Sequence, residues 1–388
     1  MRRLAIITTH PIQYNAPLFA LLHARKSVQI KVFYTWGKSV LNKKYDPGFG
    51  KIIDWDIPLL EGYPFEFLEN VAEDKGSHHF KGIDNPFIIE SIQKFNADSL
   101  LVFGWSFKSH LRVLRYFKNK IPILFRGDST LLDQRSFLKE IQRLLFLRWI
   151  YRYIDFALYV GKNNFNYFRK SGVPSNRLIY APHAIENNRF AMISDSCITY
   201  TDHLRQKLNI PADSFVFLFA GKMELKKDPA ILLEAFRQCN FNNRVHLLIV
   251  GNGELDTALR EKYKNIQGIH FLDFQNQLLM PAMYEIADVF VLPSRGPHET
   301  WGLAVNEAMA NGKAVIVSDK CGCAPDLVAD GENGYVFKAG DIHNLVKVLK
   351  KLSEHPGTVA SMKEESKKII SNFNIEKVAQ TIETVVNK

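Results

Sequence analysis

Residues 289–319 read VFVLPSRGPHETWGLAVNEAMANGKAVIVSD. An apolar run ends at Pro293-Ser294 and a short loop, RGPH, follows it. Trp301 to Gly312 then has helix-forming content in Leu303, Ala304, Glu307, Ala308, Met309 and Ala310, with Gly312 as the stop signal. A second apolar run, AVIVSD, begins at Ala314. Two short strands joined by one helix form a βαβ unit, and such a crossover makes the strands parallel.

The same alternation extends outward in both directions. Upstream in the second half, SFVFLFAG, VHLLIVG and IHFLDF are strand candidates, with helices expected near 228–239, 254–264 and 278–287. In the first half LAIITT, VQIKVFYTW, SLLVFG, PILFRG and FALYVG play the same part, with helices at 106–117 and 135–152 among them. The fold class expected is α/β, with two doubly wound, Rossmann-like sheets. A polar stretch at 187–213 without strand alternation marks the seam, so residues 1–190 form one domain and 191–365 the next, both of ordinary size. Ligands of such sheets bind beyond the carboxyl ends of the strands, and two domains facing each other would make a cleft.

Composition narrows the function classes. The chain of 388 residues is 46% hydrophobic and has no low-complexity tract or repeat, which sets aside disorder and solenoids. The apolar run at Leu4–Ile7 is too short for a signal core and reads as a first strand. No stretch reaches the roughly 18 apolar residues of a membrane span, so membrane contact is expected to be peripheral. Cys197, Cys239, Cys321 and Cys323 have no metal-ligand spacing and suit reduced thiols in a cytoplasm. Charge is uneven: residues 1–190 hold 28 basic and 16 acidic residues, against 22 and 24 in 191–388. Residues 101–150 alone hold 10 basic and 3 acidic ones, interleaved with aromatic and aliphatic side chains. That pattern fits either an anionic membrane surface or a core helix with a solvated basic face. No nucleic-acid-binding signature accompanies it.

The opening stretch also carries chemistry. The first-turn N–H groups of Gly302, Leu303 and Ala304 make an anion site suited to phosphate. Glu299 lies just before that helix and Glu307 about two turns inside it. Carboxylates repel phosphate but accept hydrogen bonds from hydroxyls, and a nucleotide sugar has hydroxyls on both sides of its diphosphate. Read alone, the pair equally fits a carboxylate at a helix dipole and a solvated helix residue. Lys222, at the end of SFVFLFAG, and Lys227 five residues on can neutralise a diphosphate leaving group. In the first half, His10, Gln13 and Tyr14 follow the first strand and read as acceptor contacts.

GKMELKKDPAILLEAF, VGNGEL, ADVFVLPS, HETWGLAVNEAMANGKAVIVSD and DLVADGENGYVF, in this order, resemble the donor domain of retaining glycosyltransferases of the family 4 type. The resemblance is strong over about 214–340. It implies the GT-B fold, with Glu299 at the donor-sugar hydroxyls, Glu307 at the ribose, and Lys227 and Lys222 at the diphosphate. Lys222 stands where many members have arginine, which keeps the charge but not the bidentate geometry. Thr300 and Trp301 replace a commoner Gly and Phe and are expected to reshape the sugar pocket. Phe274 lies near where relatives hold the base, beside Asp273 in place of a glycine. Asp128 stands where the family often has a catalytic histidine.

The resemblance further implies a last helix, within 366–388, that returns to the first domain. Transfer would proceed with retention and without a bound metal or other cofactor, from a UDP- or GDP-linked sugar. The expected enzyme is a hexosyltransferase of bacterial-type surface polysaccharide synthesis, cytoplasmic or peripheral on the inner face of a membrane, acting on a glycan or lipid-linked acceptor. A nucleotide-sugar epimerase and a non-catalytic nucleotide-sugar-binding protein are the alternatives.

Overall fold

The computed structural model describes residues 1–41, 44–46, 48–133, 136–192 and 194–388. They form two compact units. The first comprises Met1–Lys44, Pro58–His183 and Ile375–Lys388, and the second Tyr45–Ile57 and Ala184–Asn374.

Nine strands come in the first part of the chain: β1 (Arg3–Thr8), β2 (Gln29–Tyr34), β3 (Lys44–Asp46), β4 (Lys51–Ile53), β5 (Phe65–Phe67), β6 (Ser99–Phe103), β7 (Ile123–Arg126), β8 (Phe156–Tyr159) and β9 (Leu178–Tyr180). Seven of them build one sheet in the order β5-β2-β1-β6-β7-β8-β9, with every described pairing parallel. β3 and β4 form a separate two-stranded sheet. The second unit contributes β10 (Phe215–Ala220), β11 (Val245–Val250), β12 (Ile269–Leu272), β13 (Val289–Leu292), β14 (Ala314–Ser318) and β15 (Gly334–Phe337). Their order is β12-β11-β10-β13-β14-β15, again all parallel.

Both sheets are doubly wound, as their apolar runs imply. A parallel strand covered by helices on both faces must be apolar on both, and β11, β13 and β14 are buried at every position. In each sheet the order reverses once, between β1 and β6 in the first and between β10 and β13 in the second. The carboxyl ends of the strands flanking such a reversal splay apart and leave a crevice for ligand. Lys222 follows β10, and the loop to Glu299 follows β13. The pairing that brings Leu218 beside Phe290 therefore brings those two loops together.

The polar stretch at 187–213 is largely helical, with Asn187–Ala191 and Asp195–Lys207, the latter capped by the Ser194 hydroxyl accepting from the Cys197 amide at 3.3 Å. The second unit begins before it, at Ala184. At the other end, the Pro356–Ile370 helix stays with the second unit and Ile375–Val386 with the first. The Asn-containing turn 371–374 separates them. Ile375–Val386 packs on the Ala16–Arg25 helix, where Arg25 Nε and Nη2 donate to the buried Glu383 carboxylate at 2.9 Å each. Among the described residues no helix is long and apolar enough to cross a membrane.

Candidate functional site

The Leu303–Ala310 helix starts at Gly302, whose left-handed backbone (φ 104°) turns the chain from the loop into the helix. By helix geometry the first-turn amides of Leu303 and Ala304 have no intrahelical acceptor. His298, just upstream, also takes a left-handed conformation (φ 69°), which a non-glycine residue adopts at a cost of about 1–2 kcal/mol. The residue it sets in place is Glu299.

Glu299 is 8% exposed. Its Oε2 accepts from the Ser294 hydroxyl at 3.0 Å and lies 2.6 Å from Lys227 Nζ, which leaves Oε1 on the side of Gly302. Burial acts to lower the pKa of the Lys227 ammonium, but the Glu299 carboxylate beside it outweighs that and holds it above an ordinary lysine. The lysine is thus held as a cation against Glu299 before any ligand arrives. Glu307 is 3% exposed and its Oε2 accepts from the Tyr284 hydroxyl at 2.7 Å. Beneath the loop, burial pushes the Cys321 thiol up to about 12 and Cys323 further, so both stay neutral. All four cysteines are free thiols.

Backbone packing fixes the loops. Gly322 lies so close to the Glu299–Trp301 segment that a Cβ would come 1.7 Å from the Thr300 carbonyl oxygen, and the Gly322 amide donates to the Glu299 carbonyl at 3.1 Å. The Lys222 turn is braced by the VGNGEL glycines. A Cβ on Gly251 would lie 2.0 Å from the Gly221 carbonyl oxygen, and the Met223 amide donates to the Asn252 carbonyl at 2.9 Å. Asn252 Oδ1 also accepts from the Phe274 amide at 2.7 Å, while Asp273 is tied to Asn252 and Arg260. One short turn therefore positions both Lys222 and Phe274. The Arg295 amide donates to the Lys226 carbonyl at 2.9 Å, joining the two loops that flank the sheet reversal.

One expected residue sits differently. Trp301 is 3% exposed, its Nε1 donates to Asn306 Oδ1 at 2.8 Å and its ring packs near Phe373. Its indole supports the helix start from within rather than shaping an open sugar pocket. The reason is the inward Asn306, which gives the buried indole N–H an acceptor.

In the first unit, His10, Gln13 and Tyr14 follow β1 at the sheet reversal. His10 Nδ1 pairs with the Thr9 hydroxyl at 2.8 Å and its ring meets Trp36 edge-on at 5.2 Å. Gln13 is buried and its Oε1 has no hydrogen-bond partner. Asp128 follows β7, two residues after the buried Arg126, which donates to the Ala181 and Pro182 carbonyls at 2.9 and 2.8 Å. These bonds draw His183 into the same edge. Burial pulls the His183 pKa down to about 4, with the Asp128 charge opposing and Arg126 assisting. His183, Ser294, Tyr284 and Asn252 were not singled out from sequence. Ser294, at the carboxyl end of its strand, had a positional signal; Tyr284 and His183 had none. Among the described residues, the group that brings three metal-ligating atoms within 4.8 Å is Asp74, His78 and His79, on an exposed loop of the first unit. There the Asp74 carboxylate already pairs with both rings.

Residues 201–369 match the model of the family described as Glycosyl transferases group 1. This part of the chain is thus similar to group 1 glycosyl transferase domains. It holds Lys222, Lys227, Phe274, Glu299 and Glu307. The chain is 30% identical over 199 residues to the lipopolysaccharide 1,2-N-acetylglucosaminetransferase of Salmonella typhimurium, covering 47% of this chain and 50% of the relative. It is 29% identical over 221 residues to the UDP-Gal:alpha-D-GlcNAc-diphosphoundecaprenol alpha-1,3-galactosyltransferase of Escherichia coli, covering 53% and 54%. The chain thus spans about half the length of the curated relatives it matches. The Anabaena protein HepE, solved in complex with UDP, shares the fold along the whole of both chains at a TM-score of 0.73 and 19% identity. The matched region and the sheet that precedes it have the GT-B fold.

Proposed function

We propose that the chain is a retaining, metal-independent hexosyltransferase that moves a sugar from a nucleotide-diphosphate donor to a glycan or lipid-linked acceptor. The observation that carries this reading is the Lys227–Glu299 ion pair at the start of the Leu303–Ala310 helix, with Glu307 buried just over one turn in. The diphosphate sits on the first-turn amides, with Lys222 and Lys227 as its counter-charges. When the bond from the anomeric carbon to the phosphate oxygen breaks, the electron pair leaves with the phosphate, where these groups stabilise it. Glu299 accepts from the sugar hydroxyls and Glu307 from the ribose. The acceptor oxygen bonds to the anomeric carbon from the same face, and its proton passes to the departing phosphate oxygen. Asp128 and His10 in the first unit orient that acceptor hydroxyl. The UDP bound by HepE and the UDP-sugar in the name of the Escherichia coli relative favour a UDP-linked donor.

Calorimetry with UDP-, GDP- and ADP-sugars on the wild type and Glu307→Ala tests the reading. One nucleotide class should bind, and the variant should lose about tenfold in affinity, the worth of one or two hydrogen bonds to a charged group. A wild type that binds none of them, or a variant that binds as well as the wild type, sinks it.

A peripheral, membrane-facing place for the enzyme is supported by the Phe137–Tyr151 helix. Leu147, Ile150 and Tyr151 face the core. Phe137 (75% exposed), Leu138 (73% exposed), Ile141, Leu145 and Phe146 face outward, with Lys139, Arg148 and Arg152 exposed beside them. An apolar stripe flanked by cations fits an anionic bilayer surface. Binding to vesicles of anionic lipid should be salt-sensitive and should weaken at least about tenfold in Leu138→Asp/Leu145→Asp, since each buried leucine contributes roughly 1.5–3 kcal/mol. Equal binding by that variant would remove the membrane assignment.

A further inference from the structure

Residues 45–57 lie in the first half of the sequence yet belong to the second unit. From β4 onward the segment alternates. Lys51, Ile53, Trp55 and Ile57 are half-buried, while Ile52, Asp54 and Asp56 are exposed. An extended chain with period two is lying on a surface. That surface is the carboxyl edge of the second sheet. Asn276 Nδ2 donates to the Asp54 carbonyl at 2.5 Å, and the Leu278 amide donates to the Asp56 carboxylate at 3.2 Å. Lys51 Nζ lies 5.8 Å from the Phe274 ring centroid, and the Trp55 ring 6.3 Å from it.

Phe49, at the turn before β4, reaches furthest. Its ring meets Phe274 at 4.7 Å and 61°, and Lys222 Nζ stands 4.9 Å from its centroid. Gly48 beside it approaches the same lysine so closely that a Cβ would lie 2.5 Å from Nζ. One aromatic side chain thus touches the two residues assigned to opposite ends of a nucleotide, the diphosphate lysine and the base-side phenylalanine.

These contacts exclude a bound nucleotide. A ring pair at 4.7 Å is already at the short end of aromatic contact distances, so no base fits between Phe49 and Phe274. The ammonium of Lys222 faces a π cloud, a weaker partner than a diphosphate. We propose that Phe49 is a donor-affinity-determining residue. Its ring occupies the nucleotide's place on Lys222 and Phe274, and the 48–56 strap must lift for the donor to bind. This rests on the donor-site reading above. The strap then scales apparent donor affinity down to the intrinsic value multiplied by the open fraction, and the incoming diphosphate takes over Lys222 as the ring leaves.

The test is calorimetry with UDP and GDP on the full chain in four forms, all in a Cys197→Ser background. The forms are the parent, Phe49→Ala, and the pair Asp56→Cys/Leu278→Cys when reduced and when oxidised. Phe49→Ala should bind the preferred nucleotide at least about threefold more tightly. Oxidation should tie the strap down and cost at least about tenfold in affinity, recovered with reductant. Should Phe49→Ala fail to fold, the tethered pair still decides the matter. Unchanged or weaker binding by Phe49→Ala overturns the proposal and makes the ring a clamp on bound base or a bystander, as does an oxidised tether that binds like the parent. If the parent binds nucleotide in a Glu307-dependent way and the strap variants change nothing, this inference alone fails. If no form binds any nucleotide, the donor-site reading fails and this inference goes with it.

Discussion

At the carboxyl edge of the second sheet, the buried carboxylates already have their partners. Glu299 is bonded to Lys227 and Ser294, Glu307 to Tyr284, and the turns carrying them are pressed together backbone to backbone through Gly251 and Gly322. At the same edge of the first sheet the polar groups are held by burial. Arg126 is spent on two carbonyls, His183 is driven neutral, and the buried Gln13 Oε1 has no partner. An edge of preorganised opposite charges suits a ligand that is itself ionic and polyhydroxylated. An edge where a cation is spent on carbonyls and a neutral imidazole stands near the Asp128 carboxylate suits a hydroxyl. The division of donor and acceptor proposed above rests on this difference in how each edge treats charge.

The largest effect that would break this comparison is catalytic. Lys227→Ala removes a diphosphate counter-charge and leaves Glu299 buried without its cation, so the transfer rate should fall by about 10²–10³. Asp128→Asn keeps the shape and a hydrogen-bonding side chain, and should cost about tenfold. Single-turnover kinetics with saturating donor compares them. A larger loss at Asp128 would move the main electrostatic contribution to the first sheet.

Stability offers a sharper version. Gly251 ends β11 and Gly104 ends β6, and both have positive φ (138° and 72°). Beside Gly104 an added Cβ meets nothing within 4 Å, whereas at Gly251 it would strike a carbonyl oxygen. Gly104→Ala should then cost only the left-handed backbone strain, about 1–2 kcal/mol. Gly251→Ala should cost about 3 kcal/mol or more and should lower nucleotide affinity with it, because the turn it displaces positions Lys222 and Phe274. Urea unfolding of both variants reads the difference; equal costs would mean that the second edge is not fixed by backbone packing.

Sequence and structure agree most closely where the physics is local. Ten strands are legible because a parallel strand covered by helices is largely an apolar run. β5 and β9, of three residues each at sheet ends, are too short to show a period, and β15 opens on Gly334, which leaves it only three apolar residues. Glu299 and Glu307 draw notice by their spacing around a helix start, and Lys227 by its place after a strand. Their partners are not, because Tyr284 reaches Glu307 from another helix and nothing in its own neighbourhood marks it. The 48–56 strap lies furthest from view. Its contacts with Lys222 and Phe274 span more than 170 residues of chain, and only its period of two is local.

The smallest expected effect concerns the neutral histidines. Burial takes His110 and His183 in the first unit, and His270 in the second, from the ordinary 6.5 down to about 4. Between those values the unfolded chain binds protons that the folded chain refuses, so stability must rise with pH there and be lost as pH falls from about 6.5 to about 4. Lowered carboxylates such as Asp84 and Glu234 act mainly at the bottom of that window and below it, and Glu234 is a partly exposed ion-paired group that contributes little. Burial lowers His246 of the second unit as well, so each unit contributes two such histidines to the slope. His110→Gln isolates one of them. The ring lies 3.0 Å from the Phe103 and Gly104 carbonyls through Nδ1 and 2.9 Å from the Thr35 hydroxyl through Nε2, so Nδ1 carries the proton and Nε2 accepts. The variant will be less stable at every pH because those bonds are lost, but it no longer titrates. The readout is thus the change of melting temperature between pH 6.5 and 4, which should flatten in the variant, and an unchanged slope would show that burial is not what keeps this imidazole neutral.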